Sequence, residues 1–299
     1  MINMKDYIIL TDSCIDLPAA VADELDLKVI PLYLTVDKKN YYNYLDEREI
    51  TFKEFYQLLR EKKVPQTSQI NPQEFLDIME PFLKEGLDIL SISFSSQLSG
   101  TYNSSVIARD ELQEKYLEQK IITIDSQCAS MGQGMLLTYV AKLKKAGLAI
   151  DEVSEWVETN KKDISHLFTV GDLNHLKRGG RLSSAKAFIG TLLKIKPLLH
   201  VDYQGRLVQT GAARGRNKVM VKMVERMEKT IVDPESQFIY ISHGDCEEDA
   251  LILKEMILEK IKVKEVLINY VGPVIGSHSG IDTLALFYLG NDRFVPYNK

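Results

Sequence analysis

Short apolar runs alternate with longer stretches in which apolar residues recur every three or four positions, a pattern that predicts strands alternating with helices. In the first half of the chain, strands are predicted at residues 7–10, 28–36, 88–94 and 120–124. Helices are predicted near residues 19–25, 52–59, 72–82, 101–116 and 130–145. This order favours an α/β fold whose parallel sheet has helices on both faces, with ligands bound beyond the carboxyl ends of the strands.

Two of the predicted helices carry start signals. Thr51 and Glu54 have the spacing of a capping box, in which the two residues satisfy each other's free backbone N–H groups. Asn71 precedes Pro72, and Glu74 follows at the third helical position, which is typical of a capped start with proline in the first turn. Helices are therefore expected to begin at both places.

The second half of the chain predicts a mixed sheet. Strands are expected at 165–170, 197–201, 207–210, 238–242, 264–270 and 283–289, and helices at 172–178, 185–195, 217–230 and 247–261, after a helix that begins at 151. The strands 197–201 and 207–210 are close enough to form a hairpin around the glycine-containing turn 202–205. We place the domain junction near 147–151, which gives an N-terminal domain of residues 1–149 and a C-terminal domain of residues 150–299.

The composition is that of a globular cytoplasmic protein. Of 299 residues, 45% are hydrophobic and 26% are charged, and apolar runs stay well short of the roughly 20 residues of a membrane span. The N-terminus lacks the apolar segment of a signal peptide. The three cysteines, Cys14, Cys128 and Cys246, are far apart, so we expect free thiols and neither a disulfide framework nor a metal site.

The segment 95–102, Ser-Ser-Gln-Leu-Ser-Gly-Thr-Tyr, follows a predicted strand and precedes a predicted helix. Backbone N–H groups and the helix dipole at such a junction attract an anion. Ser96, Ser99 and Gly100 are the candidate binding residues. Ser99 is also an ordinary N-cap candidate, although the position of this segment at the carboxyl edge of the sheet favours an anion site.

Three further loops are predicted, at 40–44, 64–69 and 272–280. Thr67 in the second is expected to supply another hydroxyl near the Ser99 segment, or to be a turn former. His278 in the third is surrounded by glycines, so a ligand can approach closely and the imidazole could donate a charge-assisted hydrogen bond to a carboxylate. A lone loop histidine is more often an ordinary surface residue.

Positive charge is concentrated in one segment of an otherwise acidic chain. The net charge is −5, yet Asp202 is the one acid among the many lysines and arginines of residues 177–222. Such a segment favours a nucleic acid, a phosphorylated ligand or an acidic partner, or it is simply a solvated face. Its scarcity of aromatic residues argues against nucleic acid.

Nucleotide and hydrolase signatures are missing. The sequence has no Walker loop and no Gly-x-Gly-x-x-Gly, so no cofactor is predicted. The nearest run to the Gly-x-Ser-x-Gly elbow is 276–280, which has His278 at its centre. Polar residues without a catalytic relay favour a carrier, with a serine esterase that uses Ser99 and His278 as the alternative.

Motifs spread over nearly the whole chain resemble those of the DegV family. They are Thr11-Asp12-Ser13, Thr67-Ser68-Gln69, the segment 95–102, Arg178-Gly-Gly-Arg181-Leu-Ser183, Leu192-Leu-Lys-Ile-Lys-Pro197, and Gly272-Pro273 with His278. The order of these motifs, more than any one of them, makes the resemblance specific.

The resemblance implies a two-domain bacterial protein that encloses one long-chain fatty acid, such as palmitate, in an apolar tunnel. Its carboxylate would be held at the domain junction by the residues that match the family's site, Thr67 and Ser99, with His278 nearby. The implied partner is a fatty acid kinase, which phosphorylates the bound carboxylate with ATP for phospholipid synthesis. We expect the basic segment, through Arg178 and Arg181, to face this kinase, and the helix 185–195 to line the tunnel.

Overall fold

The computed structural model describes residues 6–182 and 195–294. The strands are β1 (Tyr7–Asp12), β2 (Leu27–Ile30), β3 (Tyr33–Val36), β4 (Lys39–Tyr42), β5 (Gln66–Ser68), β6 (Asp88–Ser93), β7 (Ile121–Asp125), β8 (Ile164–Thr169), β9 (Ile195–Val201), β10 (Leu207–Arg214), β11 (Phe238–His243), β12 (Glu265–Tyr270) and β13 (Leu284–Leu289). The helices are α1 (Ala19–Glu24), α2 (Phe52–Arg60), α3 (Pro72–Lys84), α4 (Thr101–Lys115), α5 (Met131–Lys145), α6 (Ile150–Asn160), α7 (Leu173–Arg178), α8 (Arg216–Thr230), α9 (Glu247–Leu258) and α10 (Pro273–Ser279).

The first half is built on a parallel sheet of order β2-β1-β6-β7. Every residue of β1 and of β6 is buried, as expected for strands covered on both faces. Helices α3 and α4 pack on each other and on β6, while α5 and α6 form a second packed pair and α6 contacts β6 and β7. The predicted parallel α/β architecture is confirmed.

A small antiparallel sheet of order β4-β3-β5 lies beside it, and here the sequence prediction was wrong. The predicted strand 28–36 is two strands, because Pro31 separates β2 from β3 and has no N–H for a sheet ladder. The segments 40–44 and 64–69, predicted as loops, contain β4 and β5. Thr67 therefore lies on a strand.

The second half contains a six-stranded sheet of order β10-β9-β8-β13-β11-β12. The predicted hairpin is β9 with β10, and the parallel pair is β11 with β12, joined by α9. The sheet is therefore mixed, as predicted. The predicted helix 185–195 lies outside the described residues except for Ile195, which begins β9.

Local capping chemistry sets the starts of α2 and α3. Thr51 and Glu54 form both hydrogen bonds of a capping box, and so do Asn71 and Glu74, with Pro72 in the first turn. The segment 272–280, in contrast, was predicted as a loop and forms α10. Pro273 opens this helix, and Gly280 ends it with φ of 80°, which only glycine adopts easily.

The two halves share a hydrophobic core. Residues of the first sheet such as Ile9 and Leu90 belong to the same buried cluster as Val274, Ala285 and Phe287 of the second half. Helix α5 bridges the halves, because it packs against β8, β11 and β13 while Gln133 donates to Thr11 of β1 at 3.0 Å. Among the described residues, no helix is both long and apolar enough to cross a membrane.

Candidate functional site

A cavity of about 510 Å³ is lined by residues from both halves of the chain. Its walls are mostly apolar and include Phe94, Leu98, Phe168, Leu176, Val201 and Phe287. Thr67, Ser99, Gly100 and His278 also line it. The structure thus brings four of the five predicted ligand-binding residues to one cavity, at the edge of the sheets where ligands of α/β proteins bind.

Thr67 and His278 are in direct contact. The Thr67 hydroxyl lies 2.7 Å from Nε2 of His278, which joins β5 to α10. Gly179, just after α7, packs on the other side of the imidazole, since a Cβ at this position would lie only 2.3 Å from Nδ1. The absence of a side chain at Gly179 therefore lets α7 approach α10 and hold the ring in place.

Ser99 and Gly100 form the start of α4. The N-cap residue is Gly100, which has no side-chain cap hydrogen bond. Ser99, considered above as an N-cap candidate, lies one residue before it. The Ser99 hydroxyl lies 3.0 Å from Oγ1 of Thr101 and accepts from the Thr101 N–H at 3.3 Å. Gly100 lies against the side chain of Gln69, where a Cβ would come within 2.0 Å of Oε1. The N-terminus of a 15-residue helix thus faces the cavity, with its positive dipole end.

His278 is neutral at physiological pH. Burial, followed by the positive charge of Arg181, lowers the pKa of its imidazole to about 4. A charge-assisted hydrogen bond from His278 therefore requires that a bound anion raise this pKa. A neutral imidazole still carries one N–H donor.

Arg181 brings a permanent positive charge to the cavity. It lines the cavity, and its Nε donates to the carbonyl oxygen of Leu98 at 3.1 Å. Among the described residues that line the cavity, it is the one with a permanent positive charge, and none of them is an aspartate or glutamate. Sequence reasoning assigned Arg181 to the partner surface because a run of basic residues carries no information on which of them turns inward.

Arg178 and Ser96 lie elsewhere. Arg178 is exposed, and its guanidinium lies 3.2 Å from Nδ1 of His175. The Ser96 hydroxyl donates to Asp125 at 2.5 Å, and Ser96 is not among the described residues that line the cavity. The structure therefore separates Ser96 from the other predicted ligand-binding residues.

Ser130 and Ser242 line the cavity and were not identified from the sequence. Ser130 directly precedes α5, and Ser242 lies near the end of β11. Both positions are beyond or at the carboxyl end of a strand, so the rule that placed the Ser99 segment could also have found them.

The geometry does not form the relay of a serine esterase between Ser99 and His278. The hydroxyl of Ser99 contacts Thr101, and the imidazole of His278 contacts Thr67. A nucleophile needs its base within hydrogen-bond reach. In the part of the chain that the structure describes, no group of three or more His, Cys, Asp or Glu side chains is placed to hold a metal ion.

The fold and the site define an α/β protein with a largely apolar cavity that is also lined by hydroxyl groups and an arginine. A family model described as "Uncharacterised protein, DegV family" matches residues 7–291. A DegV domain-containing protein of Clostridium perfringens is 49% identical over 290 residues, which are 97% of this chain and 99% of the relative. The chain belongs to the DegV family.

Solved structures agree with this assignment. A DegV family protein of Thermus thermophilus, described by its fatty acid binding, is 32% identical with a TM-score of 0.84 over 94% of this chain and 98% of its own. DegV of Bacillus subtilis, described as a fatty acid binding protein, is 31% identical with a TM-score of 0.81 over 95% and 98% of the two chains.

Proposed function

We propose that the protein binds one long-chain fatty acid without a covalent bond and presents its carboxylate to a fatty acid kinase in the cytoplasm. The observation that carries this proposal is the cavity itself. Its wall is largely apolar, and Thr67, Ser99, His278 and Arg181 also line it. Thr67 contacts His278, and Arg181 donates to the carbonyl oxygen of Leu98, next to Ser99. The fatty acid binding described for the relatives from Thermus thermophilus and Bacillus subtilis supports the same ligand class.

Binding energy is available without a chemical step. Each buried methylene contributes about 0.8 kcal/mol, so the chain of palmitate provides roughly 11 kcal/mol, from which the costs of association are subtracted. Burying the carboxylate is costly unless hydrogen bonds and a counter-charge replace its water. The hydroxyls of Thr67 and Ser99 and the guanidinium of Arg181 supply both.

In the proposed reaction, the kinase transfers the γ-phosphoryl group of ATP to the bound carboxylate. An oxygen of the carboxylate attacks the γ-phosphorus, and the bond from that phosphorus to ADP breaks, which gives an acyl phosphate and ADP. This protein's part is to hold the carboxylate in position. Arg178, exposed at the end of α7, is proposed to contact the kinase. Arg181 is proposed both to contact the kinase and to bind the carboxylate.

Native mass spectrometry of the purified protein tests the binding step, because a bound long-chain fatty acid adds a defined mass. The transfer step is tested by adding ATP and a fatty acid kinase to the loaded protein and trapping acyl phosphate with hydroxylamine. Arg178→Glu should reduce trapped product while the bound fatty acid is retained. Unchanged product formation would refute the docking role of Arg178.

The esterase alternative is tested on the same protein with a generic ester and a serine-reactive phosphonate. Fatty acid binding predicts no turnover and no labelling of Ser99. Ester turnover accompanied by covalent labelling at Ser99 would refute the carrier function.

A further inference from the structure

The cavity contains a second polar cluster, formed by Ser130, Ser242 and Asp16. The Ser130 hydroxyl donates to Oδ2 of Asp16 at 2.5 Å, and Oγ of Ser242 lies 3.0 Å from Oγ of Ser130. All three residues are buried, and the two serines line the cavity. A hydroxyl pair on a wall of phenylalanine, leucine and valine is not what a plain hydrocarbon chain requires.

The backbone holds Ser130 in a strained conformation. Its φ is 54° and its ψ is −145°, a region that residues with a side chain rarely adopt and that is associated with functional sites. The Ser130 carbonyl accepts from the Gln133 N–H at 2.9 Å, and the neighbouring Ala129 N–H donates to His166 at 3.1 Å. These bonds fix the turn into α5, and with it the Ser130 hydroxyl at the cavity wall.

Helix α10 contacts this cluster at its N-terminus and the carboxylate end of the cavity near its C-terminus. Its N-cap Gly272 packs on Asp16, where a Cβ would lie 2.6 Å from Oδ1, and its residue His278 contacts Thr67. Six residues of helix separate the two positions, which is about 9 Å. The two ends of α10 therefore contact the two polar groups, which sets the cluster apart from the carboxylate end at Thr67.

Ser279 adds a further donor to the same cavity. It is 4% exposed, lines the cavity, and its hydroxyl has no hydrogen-bond partner among the described residues. A buried hydroxyl without a partner is unfavourable, and an oxygen atom of a ligand would satisfy it.

On the basis of the proposed function, we infer that Ser130 and Ser242, backed by Asp16, form a subsite for an oxygen substituent near the middle of the acyl chain. The ligand class is an oxygenated long-chain fatty acid, with a hydroxyl or keto group at that position. In an apolar tunnel such a group would lose its hydrogen bonds to water and bind poorly. Here the Ser242 hydroxyl can donate to it, and both serine oxygens can accept from it, while the Ser130 hydroxyl donates to Asp16.

Competition on the lipid-free protein tests this inference. Equimolar stearate and 10-hydroxystearate are added, and the ratio of the two bound species is measured by native mass spectrometry. Ser242→Ala should lower the ratio of hydroxy acid to plain acid roughly threefold to tenfold, the equivalent of one hydrogen bond. Ser130→Gly removes the neighbouring hydroxyl, relaxes the strained backbone, and serves as the second variant if Ser242→Ala does not fold.

Ser91→Ala is the matched control, because Ser91 is a buried serine of β6 that does not line the cavity. It should leave the ratio as in the wild type, and 2-hydroxystearate should show no dependence on Ser242. An equal ratio in the wild type and in both subsite variants would overturn the inference while leaving fatty acid binding intact. Failure to retain stearate at all would instead refute the proposed function, and the inference with it.

Discussion

The Thr67 hydroxyl and the Nε2 atom of His278 lie 2.7 Å apart although 211 positions separate them in the chain. Thr67 is carried by the small antiparallel sheet, and His278 by a helix that packs on β3 and β5 of that sheet. The polar end of the cavity therefore exists only when α10 is docked on the first half. Substitutions at this end should affect ligand retention more than the stability of either sheet.

Thr67→Val removes the hydroxyl and keeps a β-branched side chain suited to a strand. We expect fatty acid affinity to fall roughly tenfold to a hundredfold, the effect of losing one hydrogen bond to a charged group. Competition binding with a fluorescent fatty acid measures this change. Thr35→Val is the control, because Thr35 lies on the adjacent strand and its hydroxyl donates to Asn40 instead. Equal affinities of the two variants would contradict the role of Thr67.

Ser99→Ala and Ser96→Ala separate two serines of one segment. Ser99 lines the cavity, whereas the Ser96 hydroxyl is bonded to Asp125. Ser99→Ala should weaken fatty acid retention with little change in melting temperature, and Ser96→Ala should leave retention as in the wild type. If Ser99→Ala retained fatty acid fully, its segment would be no more than the start of a helix.

Arg181→Gln and Arg178→Gln distinguish the cavity from the surface. Loss of the positive charge at Arg181 leaves a bound carboxylate without its counter-charge, so retention should fall by at least tenfold. Arg178 is exposed, and its variant should bind fatty acid normally. Isothermal titration with both variants gives the comparison. Normal affinity of Arg181→Gln would place the counter-charge elsewhere.

The features that sequence reasoning predicted well are those with local causes. The capping residues Thr51 and Asn71 form their hydrogen bonds within three positions, so no tertiary contact is needed to predict α2 and α3. β4 and β5 were missed because short edge strands depend on pairing partners more than on their own composition. β3 was merged with β2 because the break at Pro31 was not recognised. Helix α10 was missed because its glycines reduce helix propensity, and packing against α2 and α7 compensates for this.

The candidate site likewise contains residues that local motifs indicate and residues whose position depends on tertiary contacts. Thr67, Ser99 and His278 were identified through a family resemblance and their motifs. The inward position of Arg181 depends on a hydrogen bond to Leu98, 83 positions away, and the pairing of Ser130 with Ser242 spans 112 positions. A single sequence contains no local signal for such contacts.

Asp16→Asn tests the buried carboxyl group behind the second polar cluster. Burial raises the pKa of Asp16 to about 8, against the effect of its hydrogen bond with Ser130. In the unfolded chain this group ionises near pH 4, so its contribution to stability is full below that pH and is lost as the pH rises towards 8. Asparagine stays neutral and tolerates the φ of 50° found here.

The melting temperature of the wild type should therefore fall relative to Asp16→Asn between pH 5 and pH 8. Asp233→Asn is the control, because Asp233 has a similar φ of 44° and is exposed. A constant difference between wild type and Asp16→Asn over this range would show that Asp16 is ionised in the folded protein.

His278 makes the opposite prediction, because its folded-state pKa is lowered. The imidazole of the unfolded chain binds a proton near pH 6.5, whereas that of the folded protein, buried beside Arg181, binds one only near pH 4. Between these values the unfolded state holds more protons, so acidification from pH 6.5 to pH 4 destabilises the lipid-free protein. A fatty acid carboxylate at the polar end of the cavity favours the protonated imidazole and raises the pKa of His278. The loaded protein should therefore lose less stability than the lipid-free protein over this range, and in His278→Gln this difference should shrink.

NMR titration of the ring, assigned by comparison with His278→Gln, measures the pKa directly. A ring that titrates near pH 6.5 without lipid would contradict the lowering of its pKa by burial, and a ring unmoved by lipid would contradict the placement of the carboxylate beside His278.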